Sequence, residues 1–243
     1  MNRLSRVSWI PGILLVASVP LFLIAASVTY AFNDAGLYNR GFQRYNVSTA
    51  TGITGPDLVQ AGAEFRRYFN SRREPLSVRA RVYGLEQELF NPREIHHMGD
   101  VKRRIWGVYA VGGITGVYLF ALTVAGLVWR PRMCAPWLAR FYLRGGILTL
   151  ALILAVGLFS VVNFDTLFLK FHQITFTNDL WMGNPNTDYL LKMFPQGFWF
   201  DSTALVASII IIGSVVTSVV SGGYLMWRRR GRDEVISHQP TGT

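Results

Sequence analysis

The groups best suited to move protons at neutral pH in this chain of 243 residues are His96, His97 and His172; the fourth histidine, His238, lies in the C-terminal tail and is set aside. An imidazole titrating near pH 6.5 can take a proton from an amine, return one to a leaving oxygen or donate a hydrogen bond to an oxyanion. On a helix Glu94, His97 and Asp100 follow at i, i+3 spacing and share one face. Asp165 precedes His172 by two helical turns. A carboxylate in either place would fix the ring tautomer and raise its basicity. No HExxH, GxSxG, Walker loop or CxxC pattern competes with these histidines, and the single cysteine, Cys134, excludes an intrachain disulfide.

The elements that must hold these residues are membrane helices. Hydrophobic residues make up 51% and charged residues 16% of the sequence, against roughly a quarter charged in a soluble domain. The apolar runs 9–32, 105–129, 137–164 and 204–227 each supply the ~20 residues that a helix needs to cross a hydrocarbon core. The first is too long for the apolar region of a signal peptide and reads as a retained anchor. The fold class expected is therefore an all-α membrane protein with four transmembrane helices and a small mixed α/β extracytoplasmic region. Its segments are a cytoplasmic N-terminus (1–8), an outer region (33–104) leading into the second span, a cytoplasmic turn (130–136), an outer aromatic loop (165–203) and a cytoplasmic tail (228–243). Residues 1–8 and the tail after Arg232 are expected to be disordered.

Orientation follows from the short loops. Arg3, Arg6, Arg130, Arg132, Arg140, Arg228, Arg229, Arg230 and Arg232 all fall on one side, which places both termini in the cytoplasm. The net charge of +10 is read as membrane topology and contact with anionic lipid, and no nucleic-acid partner is expected.

Within the outer region, Gly55-Pro56-Asp57 opens a helix with Leu58, Gly62, Phe65 and Phe69 on one face, and the alternation over 76–83 predicts a strand. Asn91, Pro92 and Glu94 form a helix start, so the helix carrying His97 begins outside the membrane and continues as the second span. With the second and third spans joined by a turn near Cys134, His97 lies 37 residues before that centre and His172 lies 38 after it. Two unbroken helices would thus bring both rings to one height. The aromatics of 165–203 fit either an interfacial belt or a hydrophobic floor for acyl chains.

The stretches FNPREIHHMGDVK (90–102), FHQITFTNDLW (171–181) and LKMFPQGFWF (191–200) resemble the signatures of a bacterial family of four-helix membrane proteins that includes the lipoprotein intramolecular transacylase. The resemblance implies a multi-pass protein of the bacterial cytoplasmic membrane whose active site faces outward. It implies a diacylglyceryl lipoprotein as substrate, membrane lipids as surroundings and no cofactor or metal. The implied reaction moves the sn-2 acyl chain to the N-terminal cysteine amine and leaves a lyso-form lipoprotein. The family's two essential histidines map onto His97 and His172. Glu94, Asp100 and Asp165 are candidate orienters, Lys102, Asn178 and Asp179 a candidate polar wall, and Phe171, Phe176 and Trp181 candidates to hold lipid. Two other classes stay open on the residues alone: a metal-binding membrane protein using His97 and His172, as haem or zinc ligands, and a non-catalytic lipid-binding scaffold.

Overall fold

The computed structural model describes residues 9–237, with side chains through 231; the expectations for residues 1–8 and for His238 lie outside the described residues. Four helices are long and apolar enough to cross a membrane: Trp9–Asn33, Pro92–Trp129, Pro131–Val162 and, within the last helix, Gln196–Gly231. In chain order the elements are α1 (Trp9–Asn33), α2 (Ala35–Arg44), α3 (Val47–Thr51), α4 (Gly55–Phe69), β1 (Arg79–Val82), β2 (Leu85–Glu88), α5 (Pro92–Trp129), α6 (Pro131–Val162), α7 (Phe164–Thr175), α8 (Tyr189–Met193) and α9 (Gln196–Ser237). They fall into two compact units, one of residues 9–26, 111–156 and 208–237, the other of Ser27–Ala110 and Gly157–Ala207.

The first unit is a bundle of apolar helix segments around Leu15, Val19, Leu119, Leu138 and Phe141. Small residues let its helices approach closely: a Cβ on Gly145 would stand 2.8 Å from that of Val19, and one on Gly146 would collide with Ser218 Oγ. The hydroxyls of Thr123 and Tyr142 meet at 2.7 Å, satisfying each other in an apolar setting.

The second unit holds the functional candidates. Thr54 caps α4, Pro56 sits in its first turn, and the buried face carries Leu58, Ala61, Gly62, Phe65, Tyr68 and Phe69, as the spacing predicts. That face joins Phe42, Phe90, Met193, Phe194 and Phe198 in one core. The expected strand over 76–83 is shorter, Arg79–Val82, and pairs antiparallel with β2. Tyr83 and Gly84 both take positive φ, which is the backbone of a two-residue hairpin turn and explains why the alternation ends there. Asn91 and Glu94 form the expected capping box, with Asn91 N donating to Glu94 Oε2 (2.9 Å) and Glu94 N to Asn91 Oδ1 (3.0 Å).

Three boundaries differ from the sequence expectation. The cytoplasmic turn placed at 130–136 and centred near Cys134 is a single residue, Arg130, with α6 starting at Pro131. Proline lacks the N–H that α5 would need to continue and suits the first position of a new helix, while Met133 N and Cys134 N both donate to Arg130 O. The third span does not run unbroken into the outer region. Asn163 leaves helical backbone (φ −152, ψ 73) and its side chain accepts from Thr166 N, which starts α7 inside what was expected to be loop. The last helix continues to Ser237, five residues beyond Arg232, where disorder was expected.

Candidate active site

His97 and His172 come together. Their ring centroids lie 6.4 Å apart at an interplanar angle of 34°. Measured from the true turn at Arg130, His97 lies 33 residues before it and His172 lies 42 after it. Two straight helices would separate the rings by about 14 Å along the axis. The interruption at Asn163 takes α7 off the line of α6, and the rings meet because of it.

His97 is 7% exposed, whereas its neighbour His96 is exposed, so only His97 can share a dry site with His172. The His172 ring is surrounded by Phe168 (centroids 4.3 Å), Trp181 (5.0 Å), Phe171 (5.3 Å, edge-on) and Phe176 (5.7 Å). Phe176 also lies edge-on to His97 at 5.1 Å. Of the three aromatics expected to hold lipid, Phe176 is buried, Trp181 half-buried and Phe171 55% exposed.

Hydrogen bonding sets the chemistry of the pair. His172 Nδ1 lies 2.8 Å from the carbonyl oxygen of Phe168. A carbonyl only accepts, so in the neutral ring Nδ1 carries the proton and Nε2 keeps the basic lone pair. His97 Nδ1 is buried and has no hydrogen-bond partner. A buried ring nitrogen left unpaired is costly, so this atom keeps an unused hydrogen-bonding capacity. His97 stands two turns before the apolar stretch of α5, and burial, reinforced by the neighbouring His172, pushes its pKa down to about 4 against the opposing pull of Asp100. Burial also lowers the pKa of His172, in part offset by the Phe168 carbonyl. Both rings are neutral at pH 7.

The supporting residues divide. Asp100 Oδ2 accepts from Asn178 Nδ2 at 2.8 Å, and its other oxygen pairs with Arg103, so this carboxylate ties α5 to the segment after α7 beside the dyad. Asn178 Oδ1 accepts from Leu180 N (3.1 Å), shaping the turn that delivers Trp181 to His172. The remaining candidates take other roles. Both oxygens of Glu94 are engaged by backbone donors, Asn91 N and Leu190 N (2.7 Å), so it fastens α8 to the start of α5. Lys102 is buried and donates to Arg73 O (2.6 Å) and Glu74 Oε1 (3.0 Å), with Tyr68 under its ammonium; it anchors the turn before β1. Asp165 is exposed and accepts from Gln196 Nε2, while the orienter of His172 is the Phe168 carbonyl one turn back. Asp179 is exposed, and its carbonyl accepts from Met182 N. Phe168 is the residue that sequence reasoning passed over; its i, i+4 spacing to His172 on a helix was the available signal. A zinc ion on His97 and His172 would need further protein ligands, and among the described residues no group of three or more His, Cys, Asp and Glu side chains could hold one.

Residues 13–199 match the model of the family described as lipoprotein intramolecular transacylase Lit. The chain belongs to the Lit family. The solved in meso structure of the membrane-integral Lit from Bacillus cereus superposes with a TM-score of 0.78 at 19% identity, covering 93% of this chain and 99% of that one. A second structure of the Bacillus cereus protein, carrying a histidine-to-arginine substitution, gives 0.74 at 18% identity over 94% and 96% of the two chains. These likenesses establish the Lit fold here, four membrane helices with a small two-stranded sheet, and hence a multi-pass membrane protein. An uncharacterized protein of Aquifex aeolicus (strain VF5) is 27% identical over 121 residues, 49% of this chain and 50% of that protein. The chain thus spans about half the length of the curated relative it matches.

Proposed function

We propose that this chain performs the reaction for which the Lit family is named, acting on a diacylglyceryl lipoprotein at the outer face of the bacterial cytoplasmic membrane. The observation that carries the reading is a buried pair of neutral imidazoles, 6.4 Å apart, one with a defined basic Nε2 and the other with a partnerless Nδ1.

In this mechanism the N-terminal cysteine amine, whose pKa of about 7.7–8.0 leaves a useful neutral fraction, attacks the sn-2 ester carbonyl. His172 Nε2 takes a proton from the nitrogen as the new C–N bond forms. His97 Nδ1 donates to the carbonyl oxygen as it becomes an oxyanion. The bond from the carbonyl carbon to the sn-2 oxygen then breaks, and that oxygen receives the proton held by His172. An ester and an amine become an amide and an alcohol, with no change in mass. Nucleophile and electrophile belong to one molecule, so positioning supplies much of the acceleration. Phe171, Phe176 and Trp181 provide apolar contact for the acyl chain, and Asp100 with Asn178 holds the two histidine-bearing segments in register.

Orientation in the proposal follows the arginines at Arg130, Arg132, Arg140 and Arg228 to Arg230, which mark the cytoplasmic side. The test is co-expression with a reporter diacylglyceryl lipoprotein in a host unable to N-acylate it. Fragmentation of the N-terminal lipopeptide should give an N-acylated, lyso-glyceryl form of unchanged mass. An unmodified terminus beside well-folded protein would refute the activity.

A further inference from the structure

Helix α7 carries three lengthwise stripes. Phe168, His172 and Thr175 form one at i, i+4, i+7 spacing, Leu167, Phe171 and Ile174 the next, and Thr166, Lys170 and Gln173 the third. The first packs on protein: Phe168 lies 6.2 Å from Trp199 and His172 5.0 Å from Trp181, centroid to centroid. The third is polar, with Lys170 Nζ donating to Gln173 Oε1 (3.2 Å) on the exposed side. The second is apolar and open: Leu167 is half-buried, Phe171 exposed and Ile174 84% exposed. A helix at the rim of a soluble core needs only a buried face and a polar one. A third, apolar face suits a helix that meets protein, hydrocarbon and water together.

The chain leading into α7 says which apolar medium covers the open stripe. Leu158, Val161 and Val162 end a membrane-spanning helix and are exposed, so hydrocarbon is their natural neighbour. Asn163 breaks that helix, and α7 starts at Phe164, two residues beyond this surface. A helix rising straight out of a bilayer turns from apolar to polar along its length. In α7 the change runs around the circumference, which is the pattern of a helix lying along the interface. Lys170, on the far side from the protein, can extend its ammonium to lipid phosphates.

We propose that α7 is an interfacial helix, with Leu167, Phe171 and Ile174 seated in the acyl chains of the leaflet on the dyad's side and Lys170 among its headgroups. Phe171 stands edge-on to His172 at 5.3 Å, so those acyl chains come within one ring of the dyad. The placement of the helix stands apart from the acyl-transfer reading. Where both hold, the sn-2 chain reaches His172 past Phe171 without leaving the membrane.

Leu169 supplies the control, being apolar and exposed like Ile174 but on the opposite flank of His172, toward Gln173. The test uses the full chain in vesicles of phosphatidylethanolamine and phosphatidylglycerol, with its single native cysteine removed by Cys134→Ser. A nitroxide is attached at Ile174→Cys or at Leu169→Cys, and power saturation measures its collisions with oxygen and with a water-soluble nickel chelate. The label at 174 should meet oxygen in excess of nickel, and the label at 169 should show the reverse. Nickel in excess at both positions overturns the proposal, because α7 would then stand in water. Oxygen in excess at both overturns it too, because the helix would be immersed without a polar face. Exclusion of both reagents at 174 would mean that protein, such as a second copy of the chain, covers the stripe, and the lipid assignment would fall. In protein without these substitutions, a photoactivatable acyl chain should mark Phe171 or Ile174 and spare Leu169; marking of Leu169 alone would reverse the assigned face.

Discussion

The His97 and His172 rings lie 6.4 Å apart, too far for a direct hydrogen bond and near enough for one reacting centre to touch both. With His172 Nδ1 committed to the Phe168 carbonyl, the two rings differ in role before any substrate arrives. Either His97→Ala or His172→Ala should lower the rate of lyso-form production by about 10²- to 10⁴-fold, the usual worth of a positioned acid or base. Purified protein with synthetic diacylglyceryl lipopeptide would measure it. A fall of less than tenfold in either variant argues against the dyad.

The depressed pKa values make a distinct pH signature. His97 titrates at about 4, and His172 below its ordinary value, so both stay neutral well into the acid range. The acid limb of the rate should then follow one ionisation, that of the substrate amine near 8, with a slope of about one down to the region where His172 charges. An ordinary histidine would add a second ionisation near pH 6.5 and a slope of two below it.

Linkage gives the same shifts a stability consequence. Each ring is held below its unfolded pKa, so the unfolded chain binds more protons as pH falls below about 6.5. Stability that is present above that pH should decline toward pH 4, and His97→Gln should flatten the decline. Thermal unfolding in detergent between pH 7 and pH 4 would reveal it.

Asp100 and Asn178 form a clamp between the two histidine-bearing segments. Asn178→Ala should reduce the rate about tenfold, as loss of an orienting partner does, with a smaller effect on substrate affinity. A double-mutant cycle with Asp100→Asn should give a coupling of about 0.5–3 kcal/mol. Additive effects would show that the two residues act separately.

Glu94 and Lys102 serve the scaffold. Glu94→Ala strands the N–H groups of Asn91 and Leu190, and Lys102→Met removes the donor to Arg73 O. Each should cost about 1–3 kcal/mol of stability while the folded fraction keeps near-normal turnover. Loss of turnover at unchanged stability would return either residue to the site.

Much of this molecule is written in local patterns. Four apolar runs of spanning length, the capping box at Asn91 and Glu94, and the buried face of α4 depend on spacing along one helix, and spacing is visible in a sequence. So were the two histidines and their motifs. The expected matched heights of His97 and His172 were reached by another route. The turn is at Arg130, and the break at Asn163 redirects α7, a change of chain direction that no hydropathy pattern records. The partner of His172 is a backbone carbonyl, and the carboxylates that looked like orienters were drawn off, Glu94 by Leu190 N and Asp165 by Gln196. Composition and periodicity thus determined which segments form the long apolar helices and which residues could do chemistry. Which nitrogen is basic, and which carboxylate reaches the site, was decided by hydrogen-bond partners between 4 and 96 residues apart, because leaving a buried polar group unpaired is costly and only the folded chain supplies the partners.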